Sequence, residues 1–313
     1  MKYKPRRYIL YYLLEVLAFL CFILPLKLMR AISVGAGRLS YLILRDHRRR
    51  VIENLKLAFG DEKSEEEIKS IAMKVFENLA QTLVEFLSFS KIDKKVMDNL
   101  VKAEGLEKLD EVLKKGKGGI ILAGHFGNWE LLGAYLIMNG YPGRAVVKRI
   151  KFEGYNRLLM RLRENVGVKA IYRNGSIRDL LGTLRRNEFV GILPDQDVDS
   201  IDGVFVDFFG RSAYTPVAPV NIALSTGCAI IPCFMIRENG RHRLVIEDPI
   251  DLEVTGDKRH DAEVNTAKWS KVVESYIRRY PEQWVWVHRR WKTRPKQERL
   301  QDGPMTETVA IEN

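Results

Sequence analysis

The segment of this sequence best equipped for chemistry is Gly-His-Phe-Gly-Asn-Trp-Glu at positions 124–130. It follows a short apolar run that predicts a buried strand, and it leads into a predicted helix at 129–138, with Asn128 as the N-cap. His125 then lies at the carboxyl end of a strand, where open α/β sheets bind ligands. Glu130 in the first helical turn could fix the imidazole tautomer and stabilise its cation. His125 with Glu130 is therefore a candidate general base.

Gly124 and Gly127 stand on either side of His125-Phe126 in this segment, and they allow the backbone to approach a substrate closely. The alternative is a histidine whose nitrogens are satisfied structurally by its own loop. The same histidine–carboxylate spacing recurs at His242 and Glu247, but inside a predicted strand. Positions five apart on a strand face opposite sides. We therefore interpret His242 as a surface or edge residue.

Other reaction classes find little support in the sequence. It has no G-x-S-x-G nucleophile elbow, P-loop or strand-associated G-x-G-x-x-G. Cys228 and Cys233 lie in an apolar run and are predicted core residues; the three cysteines form no CxxC, which favours a reducing compartment. The segment Pro194-Asp-Gln-Asp197 either binds a metal or an amine or is a solvated turn, so the roles of Asp195 and Asp197 stay open. No metal site or cofactor is predicted.

The pattern from about residue 100 alternates between short apolar runs and amphipathic helices. The predicted strands are 118–123, 144–148, 168–172, 189–193, 229–235 and 243–247. The predicted helices are 129–138, 154–165, 176–186, 216–225 and 262–279. This alternation predicts an α/β fold with a central, mostly parallel sheet flanked by helices. Upstream, 30–59 is predicted to be helical, and Ser64 with Glu67 predicts a capping box that opens another helix.

The N-terminus is the strongest compositional signal. Residues 8–26 are almost wholly apolar, carry only Glu15 as a charge and have basic residues on both sides. This length is near that of a membrane-spanning helix, whereas the basic flanks also suit a helix lying on a cytoplasmic surface. The alternative is a buried core helix with Glu15 paired. We predict an N-terminal membrane-associated helix (1–30), one catalytic domain (31–294) and a disordered tail (295–313).

The net charge of +11 suggests an anionic partner, either a membrane surface or a phosphorylated substrate. The basic residues are spread along the chain, with a dense group at 45–50, and no module that reads nucleic acid is recognisable. Nucleic acid is therefore not a predicted partner.

The segment at 124–130 resembles the H-x-x-x-x-D/E block of the lysophospholipid acyltransferase superfamily. Other blocks narrow the likeness to the lipid A late (secondary) acyltransferases of Gram-negative bacteria, over roughly residues 5–294. These blocks are Val146–Arg149, Gly191–Asp197, Gly203–Arg211, Thr215-Pro216, Ile230–Pro232 and Tyr280–Trp291. The resemblance implies a glycerolipid acyltransferase-like fold and an enzyme of lipopolysaccharide biosynthesis at the cell inner membrane. The excess of basic residues downstream of the apolar run favours a catalytic domain on the cytoplasmic side if the helix spans the membrane.

The resemblance also implies a reaction. A fatty acyl chain passes from acyl carrier protein to a hydroxyl of a phosphorylated glycolipid, the lipid A precursor, by direct attack with His125 as base and Glu130 as its partner. Arg149 matches the family's arginine and is predicted to bind an anionic group or the oxyanion. Arg211, Gly127 and Asn128 are further substrate-binding candidates.

Three alternatives stay open. Phosphatidylinositol mannoside acyltransferases share the same blocks, so the acceptor could be another glycolipid or a lysophospholipid. A non-catalytic, basic, membrane-tethered binding protein would have the same charge and helix without needing His125 and Glu130. The tryptophans of the segment Tyr280–Trp291 either pack in the core or contact lipid. Acyl chain length and oligomeric state are not predicted.

Overall fold

The computed structural model describes residues 5–173, 175 and 177–295. Its helices are α1 Pro5–Ile23, α2 Leu26–Ile43, α3 Arg45–Phe59, α4 Glu65–Leu87, α5 Lys94–Leu100, α6 Leu106–Lys114, α7 Trp129–Met138, α8 Glu153–Asn165, α9 Ile177–Arg185, α10 Ala218–Thr226 and α11 Lys258–Arg279. Its strands are β1 Val101–Glu104, β2 Gly119–Leu122, β3 Gly143–Val147, β4 Lys169–Tyr172, β5 Phe189–Ile192, β6 Gly203–Phe208, β7 Arg211–Pro216, β8 Ala229–Glu238 and β9 Arg241–Ile246.

Seven strands of the described chain form one sheet in the order β1-β9-β8-β2-β5-β3-β4. All neighbours in it are parallel except β8 and β9, which form an antiparallel pair. Along the central strand β2, Ile120 and Leu122 pack into one hydrophobic cluster, while Ile121 packs into the other. Both faces of the sheet are therefore covered, as parallel sheets require. The predicted α/β fold with a mostly parallel sheet flanked by helices is confirmed.

Every predicted strand is present, with ends shifted by a few residues. The sequence interpretation missed β1 and the antiparallel hairpin of β6 and β7. The capping box is confirmed, because Ser64 Oγ accepts a hydrogen bond from the Glu67 amide at 3.2 Å and Glu67 Oε2 accepts one from the Ser64 amide at 2.8 Å. The region 30–59 is helical as predicted, and it is divided between α2 and α3, which are interrupted at Leu44 where ψ is 66°.

The apolar N-terminal run forms α1, but no helix among the described residues is long and apolar enough to cross a bilayer. The 19 residues of α1 would span about 28 Å at 1.5 Å per residue, and they include Arg6, Arg7 and Glu15. Glu15 forms an ion pair with Arg161 at 2.6 Å. The alternative of a buried core helix is wrong, since Cys21 is the one buried residue of α1. The domain boundaries stay predictions, and the tail after Pro295 lies outside the described residues.

Candidate active site

The candidate site lies where two neighbouring strands end. Parallel strands β2 and β5 pair in register, with Leu122 opposite Ile192. His125 follows Leu122 by three positions, and Asp195 follows Ile192 by three positions. Equal offsets beyond paired strands bring the two side chains to the same edge of the sheet, at its carboxyl end.

Asp195 holds His125 through both of its carboxylate oxygens. Its Oδ1 lies 2.7 Å from His125 Nδ1, and its Oδ2 accepts the backbone amide of His125 at 2.7 Å and the indole N–H of Trp284 at 2.8 Å. Asp195 itself is only 2% exposed. An ionised carboxylate can only accept, so Nδ1 carries the proton and Nε2 is left as the basic nitrogen.

The pKa values of this pair follow from the contact. Burial lowers the pKa of His125, but the charge and hydrogen bond of Asp195, together with the charge of Glu130, outweigh it and raise the pKa above its ordinary value. Burial raises the pKa of Asp195, while the hydrogen bonds and charge of His125 and the Trp284 indole hold it below its usual value. Each partner stabilises the charged form of the other.

Glu130 lies beside this pair but bonds elsewhere. Its carboxylate receives two hydrogen bonds from Arg163 on α8, at 2.9 Å from Nε and 2.6 Å from Nη2. Both side chains are mostly buried, and the guanidinium also lies over the Phe86 ring. The contact that the sequence assigned to Glu130 therefore belongs to Asp195. Glu130 acts on His125 through its charge, and a catalytic part for it stays a prediction.

A cavity of about 400 Å³ opens in front of the imidazole. His125, Glu130 and Arg163 line it, and so do Lys148 and Arg173. Much of the remaining wall is apolar, formed by side chains of α7, α8 and the strand ends: Trp129, Ala145, Val146, Val147, Ile150, Leu159, Met160, Val168, Ile192 and Leu193. The cavity thus combines one base, several cations and a long apolar surface.

The loop that carries His125 is held by the C-terminal segment. The Val285 amide donates to the His125 carbonyl at 3.1 Å, and the Gly127 amide donates to the Gln283 carbonyl at 2.8 Å. Gly127 has a φ of +57°, and a Cβ there would lie 1.7 Å from the carbonyl oxygen of Met235. The glycine is thus required for close packing against β8.

Two residues of this loop that were predicted to bind substrate, Gly127 and Asn128, also make structural hydrogen bonds. The carbonyl oxygen of Gly127 accepts from Thr82 Oγ1 at 3.1 Å. Asn128 is fully buried; its Oδ1 accepts from the Leu131 amide at 2.9 Å, so the predicted N-cap is confirmed. Their substrate-binding role stays a prediction.

The two predicted anion-binding arginines lie outside the set of residues that line the cavity. Arg149 follows β3 and is 64% exposed, with a surface ion pair to Glu153 at 3.1 Å. Arg211 begins β7, where its Nε donates to the Leu57 carbonyl of α3 at 2.9 Å. A role in substrate binding for either stays a prediction.

His242 was predicted to lie at a surface or edge and to face away from Glu247; the first prediction is wrong and the second is confirmed. His242 is 2% exposed, because β9 lies inside the sheet between β1 and β8. Its Nε2 lies 3.2 Å from Glu85 Oε1, whereas Glu247 accepts a hydrogen bond from the Tyr276 hydroxyl. His242 and Glu247 therefore do not cooperate, as strand alternation predicted.

The segment Pro194–Asp197 is not a solvated turn, since Asp195 and Asp197 are both buried. Asp197 accepts hydrogen bonds from the Thr293 amide at 2.6 Å and the Thr293 hydroxyl at 2.8 Å. No group of three or more His, Cys, Asp or Glu side chains within the described residues is arranged to hold a metal ion.

The predicted core positions of Cys228 and Cys233 are confirmed, and of the two alternatives left open for the tryptophans the core one applies to Trp284 and Trp286, whereas Trp291 is only partly buried. Trp284 and Trp286 are buried, as are Cys228 and Cys233.

Comparison with known proteins identifies the family of this chain. The family described as bacterial lipid A biosynthesis acyltransferase matches residues 2–293. The chain is 28% identical to lipid A biosynthesis palmitoleoyltransferase of Escherichia coli (strain K12), over 93% of each chain. It is 28% identical to lipid A biosynthesis lauroyltransferase of the same strain, over 87% of this chain and 88% of the relative. It is 33% identical to phosphatidylinositol mannoside acyltransferase of Mycobacterium tuberculosis (strain CDC 1551 / Oshkosh), over 41% and 42%. The chain therefore belongs to the bacterial lipid A biosynthesis acyltransferases.

Proposed function

We propose that this acyltransferase moves a fatty acyl chain from the thioester of acyl carrier protein to a hydroxyl of a lipid A precursor. The observation that carries the proposal is the His125–Asp195 pair, with Nε2 as its basic nitrogen, at a cavity lined by cations and apolar side chains. No protein nucleophile is required, because the base activates the acceptor hydroxyl directly.

In the proposed mechanism the proton of the acceptor hydroxyl passes to His125 Nε2 as the oxygen attacks the thioester carbonyl. The tetrahedral intermediate collapses, the C–S bond breaks, and the leaving thiolate takes the proton back from His125. Asp195 fixes the tautomer and stabilises the imidazolium that forms between the two steps. The products are an ester and a free thiol, and the base returns to its starting state.

Cations at the wall suit the anionic parts of both substrates. The bidentate pair with Glu130 fixes Arg163 at the cavity wall, where the guanidinium can bind a phosphate or the oxyanion. Arg173 also lines the cavity, and its buried Nε has no hydrogen-bond partner among the described residues. We propose that these arginines, rather than the exposed Arg149, contact the phosphates of the acceptor or the phosphopantetheine arm of the donor.

The apolar wall suits an acyl chain, because burying it against Leu159, Met160 and Val168 removes hydrocarbon from water at about 0.8 kcal/mol per CH₂. A phosphatidylinositol mannoside acceptor is the second candidate. The lipid A enzymes named above match most of this chain, whereas the mannoside enzyme matches 41% of it. We therefore favour the lipid A precursor.

Lipid A from a strain lacking this protein tests the proposed function. Mass spectrometry should show lipid A lighter by one acyl chain, and the wild-type gene should restore that mass, whereas a gene encoding His125→Ala should not. Lipid A of unchanged mass, with an altered mannoside or phospholipid instead, would favour the other acceptor.

The rate should depend on pH in a direction set by the pKa of His125. Only the neutral imidazole is a base, so kcat/KM should rise with pH through a midpoint above the ordinary histidine value of about 6.5. Glu130→Gln removes a charge that raises this pKa, and its midpoint should move to lower pH. A wild-type midpoint below the ordinary value would contradict the role of Asp195.

We further propose that the chain binds the inner-membrane surface from the cytoplasmic side through an N-terminal apolar face. This face is the set of exposed apolar side chains on α1 and α2: Tyr8, Ile9, Leu10, Tyr12, Leu13, Val16, Phe19, Leu20, Phe22, Ile23, Leu28, Ile32, Leu39, Leu42 and Ile43. Exposed arginines of α3 (Arg45, Arg49) follow it in the chain. Apolar side chains beside basic ones are typical of helices that lie in an anionic lipid interface.

Replacing Leu13, Val16 and Phe19 together by asparagine should weaken binding to phosphatidylglycerol vesicles by at least roughly tenfold, because each apolar side chain contributes on the order of 1.5–3 kcal/mol when fully buried. Flotation with the vesicles measures this. The matched control makes the same replacement at Ile177 and Val254. These two side chains are as exposed as Leu13, Val16 and Phe19 but lie outside the N-terminal apolar face. Equal flotation of the triple variant and the wild type would show that another surface binds the lipid.

A further inference from the structure

A buried carboxylate lies behind the His125 loop and is not used in the proposed mechanism. Glu85 on α4 is 1% exposed. Its Oε1 lies 2.6 Å from Arg30 Nη2 and 3.2 Å from His242 Nε2. Its Oε2 accepts from Arg237 Nη2 at 2.9 Å and from Asn128 Nδ2 at 2.6 Å. Four separate parts of the chain thus meet on one side chain.

This carboxylate is charged. Burial raises the pKa of Glu85, but the positive charge of Arg237 and the hydrogen bonds around it hold the pKa well below its ordinary value. An ion buried away from water is costly unless it is paired and hydrogen-bonded, and a cluster of this kind adds little net stability over apolar packing. What the cluster does provide is orientation, because each hydrogen bond to the Glu85 carboxylate fixes the position of the side chain that makes it.

The cluster reaches the candidate site through two residues of the catalytic loop. Asn128 uses one end of its amide to cap α7 and the other to hold Glu85. The carbonyl of Gly127 is held by Thr82, whose hydroxyl oxygen in turn lies 3.1 Å from Arg237 Nη2. These two residues stand between His125 and Glu130 in the chain.

We propose that Glu85 is a positioning residue for acyl transfer. By binding Asn128 directly, and Gly127 through Arg237 and Thr82, it fixes the loop at 124–130 so that His125 keeps its hydrogen bond to Asp195 and faces the cavity. The inference rests on the proposed function. It adds a role for a side chain that does not line the cavity.

Asn128→Ser tests this proposal with the fold preserved, because serine also caps helices but cannot reach Glu85 with a donor. Small losses of alignment in a site cost large factors in rate, so kcat should fall by roughly ten- to a hundredfold while KM changes by less than about twofold. The control is Asp93→Ala, which removes the N-cap of α5, an exposed helix away from the loop. It should lower the melting temperature and leave kcat unchanged.

Glu85→Gln is the direct variant, but it leaves Arg30 and Arg237, both mostly buried, without a full counter-charge, which destabilises the fold. The outcome therefore rests on Asn128→Ser, compared with the control at matched melting temperature. Wild-type kcat in Asn128→Ser, or a raised KM at unchanged kcat, would overturn the positioning role. Absence of acyl transfer in the wild type would instead overturn the proposed function, so the two failures are distinguishable.

Discussion

Asp195→Asn is expected to lower kcat on the order of 10²- to 10⁴-fold while the protein stays folded. The asparagine is nearly isosteric, but it carries no charge to stabilise the imidazolium. The two oxygens of Asp195 accept three N–H groups from His125 and Trp284. In the variant, the amide nitrogen of asparagine takes the place of one oxygen and cannot accept from the N–H group that faces it. His125 would lose its fixed tautomer as well as its raised pKa. Steady-state kinetics with a melting curve measure the effect.

The matched control for this variant is Asp197→Asn, two positions further along. Asp197 is also buried, but it bonds to Thr293 rather than to His125. Asp197→Asn should lose stability, on the order of 1–3 kcal/mol, and keep its kcat. Equal kcat losses in both variants would show that the segment contributes only to folding, and wild-type kcat in Asp195→Asn would remove Asp195 from the mechanism.

The second large effect is expected at the pair of Glu130 and Arg163. Arg163→Gln should lower kcat/KM by roughly tenfold or more, because a charged hydrogen bond to an anionic substrate group contributes on the order of 1.5–3 kcal/mol. Glu130→Gln should also lower it, since the guanidinium loses its bidentate anchor and His125 loses a nearby negative charge. Kinetics on both variants, with thermal melting, measure these losses.

The double variant separates substrate binding from structural support. Breaking a mostly buried ion pair leaves one charge uncompensated, so removing both charges should recover part of the lost stability. Activity should stay low, because the guanidinium of Arg163 is missing from the cavity wall. Full recovery of kcat/KM in the double variant would mean that the pair is only structural. Arg186→Gln, at an ion pair exposed elsewhere, serves as the control and should be neutral.

Local patterns were enough to predict most of the sheet and the base. The apolar run before His125 became β2, and the capping signal at Asn128 began α7 as predicted. The hairpin of β6 and β7 was missed because its strands are only partly buried, and Asp207 in β6 and the polar residues of β7 interrupt the continuous apolar run of a buried strand.

The partner of the base was not predictable in the same way. Glu130 is near His125 in sequence, whereas Asp195 is 70 positions away and becomes its neighbour only because β5 pairs with β2. Strand order is a long-range property that hydrophobic periodicity does not encode. One usable signal existed: Asp195 follows its strand by the same offset as His125 follows β2. A comparison of offsets beyond predicted strands would have found it.

The burial of His242 has the same origin. Alternation along β9 correctly separated it from Glu247, but its actual partner, Glu85, lies on a helix 157 positions earlier. Within β9, His242 shares the buried face with Leu244 and Ile246, and on that face it meets the buried cluster behind the catalytic loop. Polar groups in a central strand therefore mark a network rather than a surface.

Base-catalysed acyl transfer by His125 can be measured directly in a reaction with purified components. Acyl carrier protein loaded with a fatty acyl thioester is mixed with a lipid A precursor and either the wild type or folded His125→Ala, and the products are weighed by mass spectrometry. With the wild type we expect an acceptor heavier by one acyl chain and an equal amount of free carrier thiol, and with His125→Ala a rate lower by on the order of 10²-fold or more. The same ester formed at wild-type rate by His125→Ala would contradict base catalysis by His125.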